Sequence, residues 1–312
     1  MRDIIFVYRK SLMRLGSTIM RGFHLMEQLK ASMGDEFSFR RSRMPRPDRF
    51  FLQEAWTWAQ KPGSIFIFTK GAARTITDEN LYRLSRKAAG ICFDWVDAEL
   101  SKIRLDIPSI HICSSFSQQA EIERIIRQSN SPGQAMVLLH NVDKRLHMLS
   151  LQRKRLESLR PVYFGTTKVA YWTRKIEKHI PVIDASSSRK MEANYHKLIN
   201  FNFHYGVRNP SIASNRISPF TKGFTAAVMG SNILVDRNVP DALRVLGGDY
   251  PFLIDEVSEE KIMDTLDFAR NSYGGKVWRE GLSRMEEVRY LVSPESLAMQ
   301  FKDILRELGE AV

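Results

Sequence analysis

The feature that most constrains the fold is a repeated alternation of short apolar runs with segments of helical periodicity. Ile4–Tyr8 is an unbroken apolar run, and apolar residues then recur at helical spacing from Ile19 to Leu29. Apolar runs of about 4–8 residues are typical of strands buried on both faces of a parallel sheet. A strand, a loop containing Gly16 and a helix open a doubly wound unit, so the chain predicts an α/β fold.

The alternation starts a second time at Val162–Gly165, after Arg160-Pro161 interrupts a basic segment. Single hydrophobic cores stop growing at roughly 250–300 residues, and this chain has 312. We therefore predict two Rossmann-like domains, with the first at 1–158 and the second at 159–290.

The same patterns predict individual elements along both domains. Strands are expected at 4–8, 65–69, 90–95, 107–114, 135–140, 162–165, 181–184, 200–205 and 231–235. Helices are expected at 19–29, 51–60, 78–89, 117–128, 146–160, 171–179, 190–198, 221–229, 259–271 and 294–308. Residues 11–18 and the basic stretch 40–49 are predicted to be loops.

Composition narrows the class of protein. Apolar residues make up 43% of the chain, which is too many for a disordered protein. The 47 Lys and Arg residues against 35 Asp and Glu give a net charge of +12, which favours nucleic acid, an anionic membrane face or phosphorylated ligands as partners. The sequence contains neither GxGxxG nor GxxxxGK[ST], so a dinucleotide enzyme or a P-loop NTPase is disfavoured.

Cysteines and apolar runs indicate the compartment. Cys92 and Cys113 each lie in an apolar run, which predicts two buried free thiols in a reducing cytoplasm. The run 4–8 is too short for a signal peptide, and no run approaches the roughly 20 apolar residues of a membrane span. We predict a cytoplasmic protein, with any membrane contact peripheral at the cytoplasmic face.

The segment Ile217–Asp236 carries the clearest chemical signal. It predicts a loop, a helix starting near Thr221, a stop at Gly230 and a buried strand. Backbone N–H groups at a helix N-terminus attract phosphate, and Lys222 adds a cation beside the Thr221 hydroxyl. The alternative is an ordinary packed crossover with a solvated lysine.

This segment resembles the donor-binding segment of GT-B glycosyltransferases. The likeness rests on Pro219, the helix start at Thr221-Lys222, the small residues that follow, Gly230 and the apolar strand. The stretches 239–243 and 247–253 continue the likeness, most of which lies within 159–275. The resemblance implies two facing Rossmann-like domains, with the nucleotide held mainly by the second. It also implies a final helix, 291–312, that packs back on the first domain.

The activity that this resemblance implies is hexosyltransferase-like glycosyl transfer (EC 2.4), as in polysaccharide biosynthesis. A sugar would move from a nucleotide-sugar donor to a hydroxyl of a glycan, lipid-linked or polysaccharide acceptor. No metal and no other cofactor is expected, because Arg208 and Lys222 would offset the charge of the departing nucleoside diphosphate. Where many retaining members carry two glutamates, this chain has Ile217 and Thr225.

The predicted donor-binding residues come from strand ends and from the start of this helix. They are Gly165, Thr166, His204, Arg208, Phe220, Thr221, Lys222 and Thr225. Ligands of open α/β sheets bind outside the carboxyl ends of the strands, where several of these residues should lie. Alternatively, Arg208 is an ordinary surface residue, His204 is a satisfied core histidine, and Gly165 only permits a tight turn.

Candidate catalytic residues of the first domain follow its predicted strands. Gly16 and Arg21 belong to the first strand–helix connection, on the side expected to receive the acceptor. Four residues are candidates for the general base that activates the acceptor hydroxyl: Asp94, Asp97, His140 and Asp143. We predict His140, Asp97 and Arg21 as the catalytic set. The spacing of Asp94 and Asp97 does not match a DxD metal motif, which disfavours a metal-dependent GT-A enzyme.

Two other classes of protein stay open. The charge of +12 is compatible with a nucleic-acid-binding protein, although no motif that reads nucleic acid is present and no nucleic acid is expected. A catalytically inactive GT-B-like binding module is the other alternative. The basic stretches 40–49 and 144–160 are either solvated faces or contacts for an anionic acceptor or a phospholipid surface.

Overall fold

The computed structural model describes residues 1–9, 16–97, 99–211 and 217–309. It divides into two compact units. Unit 1 contains the described residues of 1–141, those of 215–219 and those from Ser293 onward, and unit 2 contains the described residues of 142–214 and 220–292. Of the loop predicted at 11–18, residues 11–15 lie outside the described residues.

Unit 1 is built on a six-stranded sheet in which every neighbouring pair is parallel. Its strands are β1 (Arg2–Arg9), β2 (Phe37–Met44), β3 (Ile65–Thr69), β4 (Gly90–Asp94), β5 (Ile110–Cys113) and β6 (Gln134–Val137). They lie in the order β2-β1-β3-β4-β5-β6. The strand order reverses between β1 and β3, so the connections from these two strands leave in opposite directions.

The helices of unit 1 join and cover these strands. They are α1 (Leu25–Met33), α2 (Phe50–Trp58), α3 (Lys70–Ala73), α4 (Asp78–Ser85), α5 (Phe116–Ser129) and, from the end of the chain, α13 (Pro294–Glu307). A π-helical segment, Thr18–His24, precedes α1, and a 3₁₀ turn covers Leu100–Lys102.

Unit 2 has a five-stranded parallel sheet with the same kind of order. Its strands are β7 (Pro161–Gly165), β8 (Val182–Asp184), β9 (Phe203–Tyr205), β10 (Asn232–Asp236) and β11 (Leu253–Ile254). They lie in the order β11-β10-β9-β7-β8, so the reversal falls between β7 and β9.

The helices of unit 2 follow the same scheme. They are α6 (Lys144–Leu151), α7 (Arg174–His179), α8 (Ser188–Asn194), α9 (Thr221–Val228), α10 (Ala242–Leu246), α11 (Glu259–Ser272) and α12 (Lys276–Leu291). Short 3₁₀ segments cover Thr167–Val169 and Tyr195–Asn200. Among the described residues, no helix combines the length and apolarity needed to cross a bilayer.

The central strands form where the sequence is continuously apolar because helices cover both faces of each sheet. All five residues of β3 are buried, and so are all five of β10. The chain therefore has the predicted α/β architecture of two Rossmann-like units. Cys92 and Cys113 are buried free thiols inside unit 1, as predicted.

Three local predictions were wrong. Residues 40–44 of the loop predicted at 40–49 belong to β2: the basic side chains Arg40, Arg41 and Arg43 are exposed at the edge of the sheet, while Phe37 and Phe39 of the same strand are buried. Gly16 and the residues after it are helical rather than a loop. The helix predicted at 146–160 ends at Leu151, and the basic residues beyond it form no helix.

The division between the units falls after Asn141, upstream of the boundary that we placed at 158. Helix α6 consequently belongs to unit 2, where it packs against α9 and the 3₁₀ turn at Tyr195–Asn200. At the other end, α13 belongs to unit 1 and packs against α1. Phe301 of α13 is fully buried and lies 6.3 Å, between ring centroids, from Phe39 of β2.

Candidate nucleotide-binding site

The residues predicted to bind the donor gather at the carboxyl edge of the sheet in unit 2. Strand β7 ends at Gly165, β9 ends at Tyr205 and is followed by Arg208, and α9 begins at Thr221. Because β7 and β9 flank the point where the strand order reverses, this edge is where an open α/β sheet binds its ligands.

Lys222 reaches from the first turn of α9 to the end of β7. Its Nζ donates a hydrogen bond to the carbonyl oxygen of Phe164 at 3.1 Å and lies 4.3 Å from the centroid of the Tyr163 ring. Desolvation, with a smaller contribution from the positive charge of Arg208, lowers the pKa of Lys222 to about 8. No carboxylate of the described residues forms an ion pair with this ammonium group.

Gly165 is required for this approach. A Cβ atom at this position would lie 2.7 Å from Nζ of Lys222 and 3.1 Å from the hydroxyl oxygen of Tyr163. The Tyr163 hydroxyl donates to the carbonyl oxygen of Thr166 at 2.7 Å, which fixes the backbone just past β7. The glycine that the sequence indicated therefore makes room for a cation as well as a turn.

Arg208 lies near the same edge, between the ends of β7 and β10. It is partly buried and forms an isolated antiparallel bridge with Ala170. Burial raises the pKa of Asp236, the last residue of β10, and the backbone N–H and the charge of Arg208 act in the opposite direction. The charge of Arg208 also contributes to the lowered pKa of Lys222. An anion bound beside these two cations would oppose this effect.

The start of α9 adds main-chain donors. Phe220 occupies the position before the helix and makes no side-chain capping bond, so the first N–H groups have no side-chain acceptor from this residue. Gly223 allows the Phe220 ring to fold against this first turn, because a Cβ there would lie 1.9 Å from that ring. Thr221 and Thr225 are partly buried on the same helix.

His204 is less suited to contact a ligand. It is 3% exposed in β9 and is paired on both sides, with Ile233 of β10 and Val162 of β7. Burial, together with the positive charges of Arg153 and Lys222, lowers its pKa to about 3, so the ring is neutral at pH 7. This placement favours a core position for His204, but its buried Nε2 has no hydrogen-bond partner among the described residues, so it is not the satisfied core histidine of the alternative.

In unit 1, Arg21 is fully enclosed. Its guanidinium donates to Oδ2 of Asp94 at 2.8 Å and to the carbonyl oxygens of Leu139 and Leu138 at 2.7 and 2.9 Å. The residue is 1% exposed, and Asp94 is equally buried. This ion pair ties the segment before α1 to the ends of β4 and β6. Because Arg21 is enclosed in this way, it is unsuited to direct contact with a substrate, and the arrangement indicates a structural role for it.

His140 and Asp97 lie near this ion pair, at the carboxyl edge of the sheet in unit 1. Burial and the charge of Arg21 lower the pKa of His140, whereas Asp97 and Asp94 act in the opposite direction. Nδ1 of His140 lies 2.8 Å from the carbonyl oxygen of Asn141. A carbonyl oxygen only accepts, so Nδ1 carries the proton and Nε2 is left as the basic nitrogen.

The remaining catalytic candidates have distinct positions. Asp97 adopts a left-handed backbone with φ of 51°, which is strained for a non-glycine residue, and such strain is concentrated at functional sites. Asp143 caps α6 in unit 2 and is paired with Arg145. Gly16 is helical and partly buried. The described residues contain no cluster of three or more His, Cys, Asp or Glu side chains that would hold a metal ion.

Three contributors to the edge of unit 2 were not assigned from sequence: Tyr163, Gly223 and Asp236. Tyr163 looks like one more apolar residue of a strand, and only the fold shows that its ring meets Lys222. Gly223 follows directly after Lys222, and a glycine inside the first turn of a helix is itself a signal of close packing. Asp236 ends an apolar strand, a position from which a carboxylate reaches the ligand edge.

Several solved structures have a fold similar to that of this chain, and three of them illustrate the likeness. A glycosyltransferase from Rickettsia africae has a TM-score of 0.60 and 8% identity, with 100% of this chain and 99% of that chain covered. Sucrose-phosphate synthase from Thermosynechococcus elongatus has a TM-score of 0.60 and 11% identity, with 99% of each covered. Trehalose-6-phosphate from E. coli bound with UDP-2-fluoro glucose has a TM-score of 0.59 and 7% identity, with 100% of each covered.

The chain therefore has the GT-B fold, the arrangement of two Rossmann-like domains found in these glycosyltransferases, as the sequence predicted. At identities of 7–11% the likeness is one of fold. No protein-family model and no curated protein matches the sequence.

The structural role of Arg21 leads to a stability prediction. We expect Arg21→Met to lower the free energy of unfolding by about 3–5 kcal/mol, because the Asp94 carboxylate stays buried without its cation. Urea unfolding followed by circular dichroism measures the difference. Arg124→Met is the matched control: it removes an exposed pair with Glu121 in the same unit and should leave stability nearly unchanged. A variant at Arg21 that is as stable as the wild type would contradict the structural role.

Proposed function

We propose that this protein is a glycosyltransferase that moves a sugar from a nucleoside-diphosphate sugar to a hydroxyl group of an acceptor. The observation that carries the proposal is the pair of cations at the edge of unit 2. Lys222 and Arg208 lie at the strand-order reversal, where the charge of Arg208 adds to desolvation in lowering the pKa of Lys222. A pyrophosphate would supply a negative charge to Lys222, which has no carboxylate partner among the described residues.

The chemistry of glycosyl transfer explains why this arrangement would be useful. When the bond between the anomeric carbon and the diphosphate breaks, negative charge develops on the leaving oxygen. Lys222, Arg208 and the first N–H groups of α9 are fixed donors that would stabilise this charge without moving. In this proposal they replace a metal ion, and no metal or other cofactor is needed for departure of the nucleotide.

Unit 1 would supply the base. Neutral His140 has Nδ1 protonated and Nε2 free to accept, which is the form required to remove a proton from an acceptor hydroxyl. We assign the base to His140 in preference to Asp94, which is bonded to Arg21, and Asp143, which is bonded to Arg145. Asp97 would tune His140 through its charge, because it raises the pKa that burial lowers.

The donor and acceptor are proposed at the level of class. The E. coli structure holds UDP-2-fluoro glucose, so UDP-sugars are the first donors to test. The acceptor in this proposal is a hydroxyl of a glycan, polysaccharide or lipid-linked sugar chain. The cationic composition of the chain, with a net charge of +12, is compatible with such an acceptor carrying negative charge.

Calorimetric titration with UDP tests the proposed donor site. We expect Lys222→Ala and Arg208→Ala each to weaken UDP binding by at least about tenfold, because each removes a charge-assisted contact to phosphate. Lys276→Ala, which removes an 86% exposed lysine of α12, is the control and should bind like the wild type. If GDP, CDP and ADP are titrated as well, the tightest ligand identifies the base. If Lys222→Ala and Arg208→Ala both bound every nucleotide with wild-type affinity, the proposed donor site would be contradicted.

The lowered pKa of Lys222 also predicts a pH dependence. With a pKa of about 8, the protonated fraction in the free protein falls as pH rises from 7 to 9, and the affinity for UDP should fall about tenfold. Lys222→Arg keeps its charge across this range and should show a much flatter profile. The measurement is the dissociation constant at several pH values and constant ionic strength. Profiles of equal slope in the two proteins would show that Lys222 is not the titrating contact.

A further inference from the structure

Helix α2 in unit 1 packs against the core through Trp56, but it also buries two polar residues and leaves other large apolar side chains exposed. Gln53 and Thr57 are its buried residues, with 0% and 1% of their surface exposed. Phe51, Leu52 and Trp58, in contrast, are 82%, 51% and 67% exposed. A helix on the surface of a globular protein ordinarily turns its apolar stripe toward the core. On α2 part of this stripe faces water instead.

Hydrogen bonds hold the helix in this orientation. The Gln53 amide donates to the carbonyl oxygens of Pro45 and Thr75 at 3.3 and 3.1 Å, and its Oε1 accepts from the backbone of Thr77 at 2.9 Å. The Thr57 hydroxyl is satisfied within the helix, where it donates to the carbonyl oxygen of Gln53 at 3.0 Å. A rotation that buried Phe51 would break the bonds of the Gln53 amide and leave buried polar groups unpaired, so the exposed apolar side chains stay outward.

The exposed apolar side chains form one continuous surface. Phe51, Ala55 and Trp58 follow one another at helical spacing, and Leu52 and Ala59 form the adjacent row. Helix α4, which packs against α2, carries a further exposed aromatic residue, Tyr82, with 60% of its surface exposed. We call the exposed apolar side chains of α2 the α2 face. Large apolar side chains exposed at neighbouring positions are typical of an interaction site.

Positive charge borders the α2 face. Strand β2 and the loop after it present exposed Arg43, Arg46 and Arg49, with Asp48 as the acidic residue among them. Lys61, which follows the helix, is paired with Asp3. The carboxylate of Glu54 is paired with Arg83, whose guanidinium also lies 5.7 Å from the centroid of the Trp58 ring. The surface therefore combines aromatic rings with an excess of arginines over carboxylates in the segment 43–49.

We propose that the α2 face docks unit 1 on the surface of an anionic lipid bilayer. Aromatic side chains enter the boundary between headgroups and acyl chains, and flanking arginines bind lipid phosphates. A second copy of the chain fits less well, because a two-fold interface through the α2 face would bring like-charged arginine clusters together. Docking depends on this surface alone and is independent of the proposed transfer reaction.

Vesicle flotation tests the proposal with the intact protein. Wild-type protein should float with vesicles of phosphatidylcholine and phosphatidylglycerol and stay behind with phosphatidylcholine alone. Phe51→Ser with Trp58→Ser, and separately Arg46→Glu with Arg49→Glu, should each lower the bound fraction at least about tenfold. The control pair is Tyr290→Ser with Met299→Ser, at residues 59% and 50% exposed outside the α2 face, and it should float like the wild type.

Three results would overturn the docking proposal. They are no flotation of the wild type with anionic vesicles, flotation of the α2-face variants equal to that of the wild type, and a dimer in solution that the Phe51 and Trp58 changes disperse. The last result would assign the α2 face to a second copy. All variants should keep the thermal unfolding temperature and UDP affinity of the wild type, which separates this outcome from failure of the proposed donor site.

Discussion

The structure depends on the parallel orientation of its strands, which places all of their carboxyl ends at one edge of each sheet. In both units the strand order reverses beside the first strand of the sheet, which separates the two connections that follow and opens space at that edge. In unit 2 the space lies beside the end of β7. Gly165 leaves room there, and Lys222 extends into the space from α9.

The energetics of this edge point to an absent negative charge. The pKa of Lys222 is lowered from 10.5 to about 8, which corresponds to roughly 3 kcal/mol less preference for the ammonium form than in water. A carboxylate beside Lys222 would have removed this cost, but its described contacts are a carbonyl oxygen and an aromatic ring. By comparison, the buried cation of unit 1, Arg21, is neutralised by Asp94. At the carboxyl edge of its sheet, unit 1 therefore pairs its cation with a carboxylate, whereas unit 2 gives Lys222 no such partner among the described residues.

Much of this architecture could be predicted from the sequence, because apolar runs and helical periodicity respond to burial, and burial is what parallel sheets impose. Strand β2 was not predicted, for the same reason. It lies at the edge of the sheet, where its arginines stay in water, so its sequence has the basic composition typical of a loop. Helix α12 was not predicted, although Trp278, Met285 and Val288 mark its buried face. Arginines and glutamates separate these residues and make the helical periodicity of the apolar residues harder to detect.

The chemical roles were harder to predict than the elements. Sequence indicated that Lys222 and Arg208 would lie at strand and helix ends, and the fold brings them together. It did not distinguish the enclosed Arg21 from an available cation, because that difference depends on Leu138, Leu139 and Asp94, which are distant in the chain. The exposed aromatic side chains of α2 were equally hidden, because the apolar stripe of a helix predicts the buried face and part of this stripe faces water.

The most direct measurement is a set of crystals soaked in parallel with UDP, GDP, CDP and ADP. Our account predicts density for one nucleotide in unit 2, with diphosphate oxygens about 2.7–3.2 Å from Nζ of Lys222 and the guanidinium of Arg208. Nucleotide density elsewhere on the molecule, with Lys222 still bonded to the carbonyl oxygen of Phe164, would contradict it.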